Sequence, residues 1–150
     1  MGANGVMSKC IMLSRNTWDQ TPIKLEIKIV TRIDPSFPAH LTQIPDPPIA
    51  LFVKGALPTD FSKTIGVVGT RKPTSYGKQT TQNLTRDLVN YGFTIISGLA
   101  RGVDGIAHRT TLENHGTTIA VLGCGVDIVY PPEHKELYSL IIEKRSAIIS

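Results

Sequence analysis

At 150 residues, with 41% hydrophobic and 19% charged side chains, the chain has the size and composition of one domain with a real core, since a chain this long buries about 68–70% of its unfolded surface. Disordered, fibrous and collagen-like classes are excluded by that balance, and no apolar run approaches the ~20 residues that a bilayer-spanning helix needs. The net charge is only +4, yet residues 61–111 hold Lys63, Arg71, Lys72, Lys78, Arg86, Arg101 and Arg109 against Asp87 and Asp104, so the positive charge is concentrated there and points to a polyanionic partner.

Residues 1–22 show no period and form a poorly defined N-terminal segment. They lack the apolar core of a signal peptide, and Val6 stands where a myristoylation signal after Met1-Gly2 needs Ser or Thr, so the expected location is cytoplasmic, away from membranes. Next, Ile23, Leu25, Ile27 and Ile29 alternate with Lys24, Glu26 and Lys28, the pattern of a strand with one wet face. Residues 34–48 carry Pro35, Pro38, Pro45, Pro47 and Pro48, which restrict them to turns and extended chain around at most one short helical turn: a rigid strap laid over a sheet. Ile49 to Val53 reads as a strand ended by Gly55.

The organising stretch follows. Ile65-Gly66-Val67-Val68 reads as a strand buried on both faces; Gly69 permits a tight turn, Thr70, Arg71 and Lys72 supply polar groups, and Pro73 with Ser75 prepares a helix. That helix runs from Tyr76 to Tyr91, with Tyr76, Thr80, Leu84, Leu88 and Tyr91 expected inward and Gly92 as its stop. The arrangement recurs: Phe93 to Ile96 leads into Ser97-Gly98-Leu99-Ala100-Arg101-Gly102 and a helix marked by Val103, Ile106, Ala107 and Thr110. Ile119 to Leu122 leads into Gly123-Cys124-Gly125, then a helix opened by Pro132 with Leu137, Leu140 and Ile141 inward. Ala147 to Ser150 reads as a further strand. Alternating strands and helices predict an α/β fold, a Rossmann-like doubly wound, mainly parallel sheet. In the usual order the 65–68 strand is interior, flanked by the strands at 93–97 and 147–149, with 118–122 beyond the former. Ile148 and Ile149 are then expected to leave an exposed, unpaired sheet edge at a truncated C-terminal side.

Three strands ending in small residues on one edge indicate a phosphate-bearing ligand, because free N–H groups and helix amino termini converge there. A dinucleotide site is disfavoured: Gly69 has no second glycine two residues on, and no Walker A sequence is present. Arg71 is either a bidentate phosphate contact or an exposed or turn-pinning arginine; Arg101 carries the same ambiguity, with Asp104 as its alternative partner. Gly98 and Gly102 read as points of close approach. No catalytic set emerges. Asp104 reads as a helix-start acceptor, Asp127 as a turn residue, and His108 has no nucleophile in a recognisable relation to it. His40, His115 and His134 form no metal pattern, and Cys10 and Cys124 lack zinc-ligand spacing.

The runs GTRKPTSYG (69–77), SGLARGVDGIAH (97–108) and IAVLGCGVDIVYPPEH (119–134) resemble the DNA-processing protein A (DprA/Smf) family. Upstream, Asp34-Pro35-Ser36-Phe37-Pro38, Leu41, Ile44 to Pro48 and Leu51 to Gly55 resemble the family's leading segment, so the likeness covers about residues 29–150. It implies that residues 23–150 are part of a Rossmann-like domain truncated at its C-terminal side. It also implies a non-enzymatic, cofactor-free protein that holds single-stranded DNA by its phosphates in natural transformation (competence) and DNA recombination, with the RecA recombinase and a second copy of the chain as partners. The DNA phosphate pocket of the resemblance falls on Gly69, Thr70, Arg71, Ser97, Gly98, Arg101 and Gly102, with Lys72 beside them. Two alternatives stand beside this one: a small-nucleotide-binding protein or phosphoribohydrolase-like enzyme of the same sheet class, whose Pro-Gly-Gly turn and glutamate are not found in Gly123 to Asp127, or an inactive fragment.

Overall fold

The computed structural model describes residues 26–144 and 146–150; the expectations placed on residues 1–25 lie outside them. Nine elements carry the fold: β1 (Ile27–Thr31), β2 (Ala50–Gly55), β3 (Thr64–Gly66), α1 (Ser75–Asn90), β4 (Thr94–Ser97), α2 (Val103–Glu113), β5 (Thr118–Val121), α3 (Lys135–Glu143) and β6 (Ala147–Ile149). Short 3-10 turns at Ala39–Gln43 and Pro132–His134 complete it. The six strands make one sheet in the order β1-β2-β6-β5-β4-β3. Within it β3, β4, β5 and β6 are mutually parallel, while β2 pairs antiparallel with both β6 and β1.

The α/β architecture and parallel core match expectation, but the strand order does not. Among the described residues β3 is an edge strand, bonded to β4 alone, and the neighbour expected on its other side, β6, lies beyond β5. Each crossover from β3 to β6 steps one place in the same direction, and the far side of β6 is filled by β2, with Val53 opposite Ile149. β3 is accordingly half-wet rather than buried on both faces: Val67 and Val68 fall outside the strand, and Val68 is 74% exposed. β6, expected to leave an open edge, is the best buried strand, with Ala147 and Ile148 fully buried and Ile149 nearly so.

Because right-handed crossovers in one direction keep their helices on one side, α1, α2 and α3 lie side by side on a single face. Under them a core of Leu99, Leu112, Ala120, Leu122, Leu137, Ile141 and Ile148 is buried. The opposite face is covered by the proline-rich strap, whose Phe37 and Leu41 pack with Leu57 and Phe61 on Val30, Val53, Ile119, Ala147 and Ile149. The alternation of Ala147, Ile148 and Ile149 between these two cores is the pleat read directly.

Two faces are corrected. In β1 the buried residue is Val30, whereas Ile27 and Ile29 are exposed, since no helix among the described residues packs on β1. In α1 the inward stripe is Gly77, Thr81, Thr85 and Val89, and Tyr76, Leu84 and Tyr91 are exposed. Small residues let α1 approach α2 closely: a Cβ on Gly116 would stand 2.7 Å from Val89.

Candidate nucleic-acid interface

The carboxyl ends of β3 and β4 are joined by backbone contact. Val103 N–H donates to the Thr70 carbonyl at 3.2 Å, and the Lys72 N–H donates to the Thr70 hydroxyl at 3.2 Å. Gly102 (φ 79°) occupies the left-handed region, and a Cβ there would stand 2.3 Å from the Thr70 carbonyl oxygen and 2.8 Å from the Arg71 Cα; no side chain fits. Gly69 is closed off similarly, 2.8 Å from Val103. These glycines weld the loop carrying Arg71 to the start of α2.

Beside this weld lies a cleft of about 360 Å³, the lower end of the size range of ligand pockets. Arg71 and Lys72 enter it from the loop after β3, Lys78 from the first turn of α1, Arg109 from α2, and His134 from the turn before α3. Gly102, Gly105 and Ile106 supply its α2 wall. A Cβ on Gly105 would strike the His134 ring at 2.6 Å, so the imidazole is seated on bare backbone, its Nδ1 donating to the Leu99 carbonyl at 2.9 Å. Arg71, Lys72, Lys78 and Arg109 have no carboxylate partner among the described residues. Thr74 caps α1 by accepting from Gly77 N–H at 3.1 Å and keeps the Lys78 turn in place.

The turn after β4 is organised differently. The buried Ser97 hydroxyl donates to the Val67 carbonyl at 2.7 Å, tying β4 to the strand beside it. Asp104 Oδ2 accepts from the N–H groups of Gly98 and Ala100 at 3.1 and 3.4 Å, as a carboxylate in the first turn of a helix commonly does. Arg101 forms a bidentate pair with Glu133, through Nε to Oε1 and through Nη2 to Oε2 at 3.1 Å. Each partner holds the other in its charged form: the guanidinium is pushed above its usual range and the carboxyl held below its own. The expected alternative partner, Asp104, is engaged by backbone instead. Of the eight residues singled out in the sequence, Arg71, Lys72 and Gly102 line the cleft, Gly69 and Thr70 build its support, and Ser97, Gly98 and Arg101 are held by the protein itself. Lys78, Arg109 and His134 also line the cleft although the sequence did not single them out; the signal for the first two is their place among the cations of 61–111.

His108 stands apart from the cleft. It is fully buried, with Nδ1 2.7 Å from the Thr118 hydroxyl, which in turn donates to the Ile95 carbonyl at 2.8 Å; Nε2 has no hydrogen-bond partner among the described residues. Burial, reinforced by nearby His134, lowers its pKa to about 3, so the ring is neutral. Among the described residues no three His, Cys, Asp or Glu side chains converge on a metal position, and no helix is long and apolar enough to cross a membrane.

A Rossmann-like α/β sheet bearing a cationic cleft at its carboxyl edge defines the class. Residues 28–150 match the family model of DNA recombination-mediator protein A, and the chain belongs to that family. It is 43% identical over 118 residues to protein Smf of Synechocystis, covering 76% of this chain and 30% of that protein. To the DNA processing protein DprA of Bacillus subtilis it is 45% identical over 103 residues, covering 67% and 34% respectively. The chain thus spans about a third of the length of these relatives. Among solved structures, DprA from Streptococcus pneumoniae superposes with a TM-score of 0.73 at 35% identity, covering 83% of this chain and 44% of that one. DNA processing protein A from Helicobacter pylori, solved for its single-stranded DNA binding mode, gives 0.65 at 31% identity, covering 83% and 55%.

Proposed function

We propose that this chain binds single-stranded DNA through its backbone phosphates, as a cytoplasmic, non-enzymatic module of DNA processing in natural transformation and recombination, and that it hands the strand to a RecA-type recombinase as part of a self-associating protein. The observation that carries the reading is the cleft in which Arg71, Lys72, Lys78 and Arg109 converge over glycine backbone with no carboxylate partner among the described residues. Four cations gathered on one concave surface repel each other, and a polyanion relieves that repulsion while releasing its own counterions. Two features favour binding over catalysis: His108, the candidate base, is sealed in the core, and Asp104 is occupied by the turn it closes.

Arg71 is the test. It is exposed, and its backbone, not its side chain, holds the loop against Gly102, so Arg71→Ala leaves stability within about 0.5 kcal/mol. Binding of unrelated oligonucleotides weakens, and the slope of log affinity against log salt flattens by about 0.7, the share of one phosphate on a single strand. Fluorescence anisotropy across a salt series reads both quantities. Equal slopes for Arg71→Ala and parent would remove Arg71 from the site. Mononucleotides that displaced an oligonucleotide at matched phosphate concentration would favour the small-nucleotide alternative.

A further inference from the structure

Of the four histidines in the chain, His134 is the one that lines the cleft. Its Nδ1 stands 2.9 Å from the Leu99 carbonyl oxygen, which can only accept, so Nδ1 carries the proton of the neutral imidazole and Nε2 presents a lone pair. Nε2 has no hydrogen-bond partner among the described residues and, unlike Nε2 of His108, is not sealed from solvent. The ring rests on Gly105, where a Cβ would stand 2.6 Å from Cε1 and 2.9 Å from Nε2. Arg71 rests on Gly102 in the same way, through its backbone. Three residues at the start of α2 separate the two glycines, about 4.5 Å along the helix axis, a span that one tetrahedral phosphate with oxygens on opposite sides can bridge.

We propose that His134 is a proton-dependent phosphate ligand of the cleft: its imidazolium donates Nε2–H to the phosphate beside Arg71, so that a strand is taken up together with a proton. This rests on the single-strand reading above and deepens it. A neutral ring turns a lone pair toward the anionic oxygens and repels them, whereas the protonated ring offers a charge-assisted donor at the same place. The neighbours make the coupling strong. Arg71 and Lys72 from the loop after β3, Lys78 from α1 and Arg109 from α2 share the cleft and oppose a further positive charge until an anion arrives. His108 on α2 is neutral, Glu133 is committed to Arg101, and Lys135 and Glu136, which follow in the chain, are of opposite sign. A phosphate cancels the opposing charge, and by linkage protonation and binding favour each other equally.

The experiment measures binding of a ten-residue oligothymidylate with hydroxyl ends, which keeps its charge between pH 6 and 8, across a salt series at both pH values. The full chain is compared with His134→Asn, His134→Gln, His40→Gln, His115→Asn and Arg71→Ala. The parent binds several-fold tighter at pH 6, within the limit of about tenfold per pH unit that one proton sets, and its slope of log affinity against log salt is steeper there by up to about 0.7. His134→Asn, whose amide can reach the Leu99 carbonyl as Nδ1 does, and His134→Gln, whose amide can take the place of Nε2, both lose the pH dependence. His40→Gln and His115→Asn, at exposed positions outside the cleft, keep it. Melting temperatures at both pH values separate lost binding from lost folding, and calorimetry of the parent in buffers of different ionisation enthalpy counts the proton taken up without any variant. If both His134 variants retain the parent's pH dependence, the imidazole serves only the turn at Leu99 and the proposal is overturned. It is equally overturned, with the single-strand reading left standing, if the parent binds alike at pH 6 and 8 and takes up no proton while Arg71→Ala flattens the slope. If the parent binds the oligonucleotide at neither pH, the single-strand reading fails and takes this inference with it.

Discussion

Arg101 and Arg71 look alike in the sequence, each following a strand and a glycine turn, yet the structure gives them opposite circumstances. Arg71 faces an open cleft, while Arg101 is clamped by Glu133 in the two-pronged geometry that a phosphate would otherwise adopt. Glu133 thereby keeps a strong anion ligand out of circulation. Glu133→Gln should free the guanidinium, tighten oligonucleotide binding several-fold at low salt and steepen the salt slope by about 0.7; the same anisotropy series checks it, and an unchanged slope means Arg101 points away from any bound strand. No local pattern announced this pair. The partners are 32 residues apart and meet only because the chain returns after β5 to the turn that follows β4, whereas Asp104, three residues from Arg101, was the partner that local spacing offered. The glycine turns, by contrast, were legible, because a residue without a Cβ signals close approach whatever its neighbour turns out to be.

For single elements, the existence and type of each strand and helix in 65–150 could be read from period and turn residues, but the face that α1 buries could not. Tyr76, Leu84 and Tyr91 carry the apolar surface, and hydrophobicity alone places them inward; the helix instead buries Thr81 and Thr85, because close packing on α2 rewards small side chains over apolar ones. The arrangement leaves a mark. Thr85 Oγ1 is buried without a hydrogen-bond partner among the described residues, a loss that a valine of similar shape avoids. Thr85→Val should therefore be neutral or stabilising by up to about 1 kcal/mol, and Leu84→Ala, at 54% exposure, should cost no more than about 0.5 kcal/mol. Urea denaturation of the two variants decides between the faces: a Leu84→Ala loss of the 2–5 kcal/mol typical of a core leucine would restore the inward stripe read from the sequence. The strand order escaped the sequence for a related reason. Right-handed crossovers fix the side on which helices lie but not the direction of each step along the sheet, and here all steps go one way.

Across the whole molecule, one contribution to stability against acid comes from a residue outside the cleft. His108 is neutral in the fold, with a pKa lowered to about 3 by burial first and by His134 second. The unfolded chain binds a proton below about pH 6.5 that the native chain refuses, so this contribution is complete above pH 6.5 and is lost as pH falls toward 3. The loss amounts to at most about 1.4 kcal/mol per pH unit. Unfolding free energies at pH 7, 6, 5 and 4 should show that slope in the parent and a shallower one in His108→Gln, whatever the packing cost of the substitution at pH 7. Parallel pH profiles would assign the acid sensitivity to other groups.

The seat of β2 beside β6 also has a meaning in time. The hairpin of β1 and β2 is synthesised before the strand against which it docks, which comes only after the whole succession of β3, α1, β4, α2, β5 and α3. Until then the β2 edge and the apolar side of the strap have no sheet to rest on, and a hairpin alone is marginal in water. A nascent chain therefore carries an unfinished seam from β2 until β6 emerges, and the strand that closes it is the most buried among the described residues. That seam is the place where a trigger-type chaperone, or another unfinished copy, has the longest opportunity to bind.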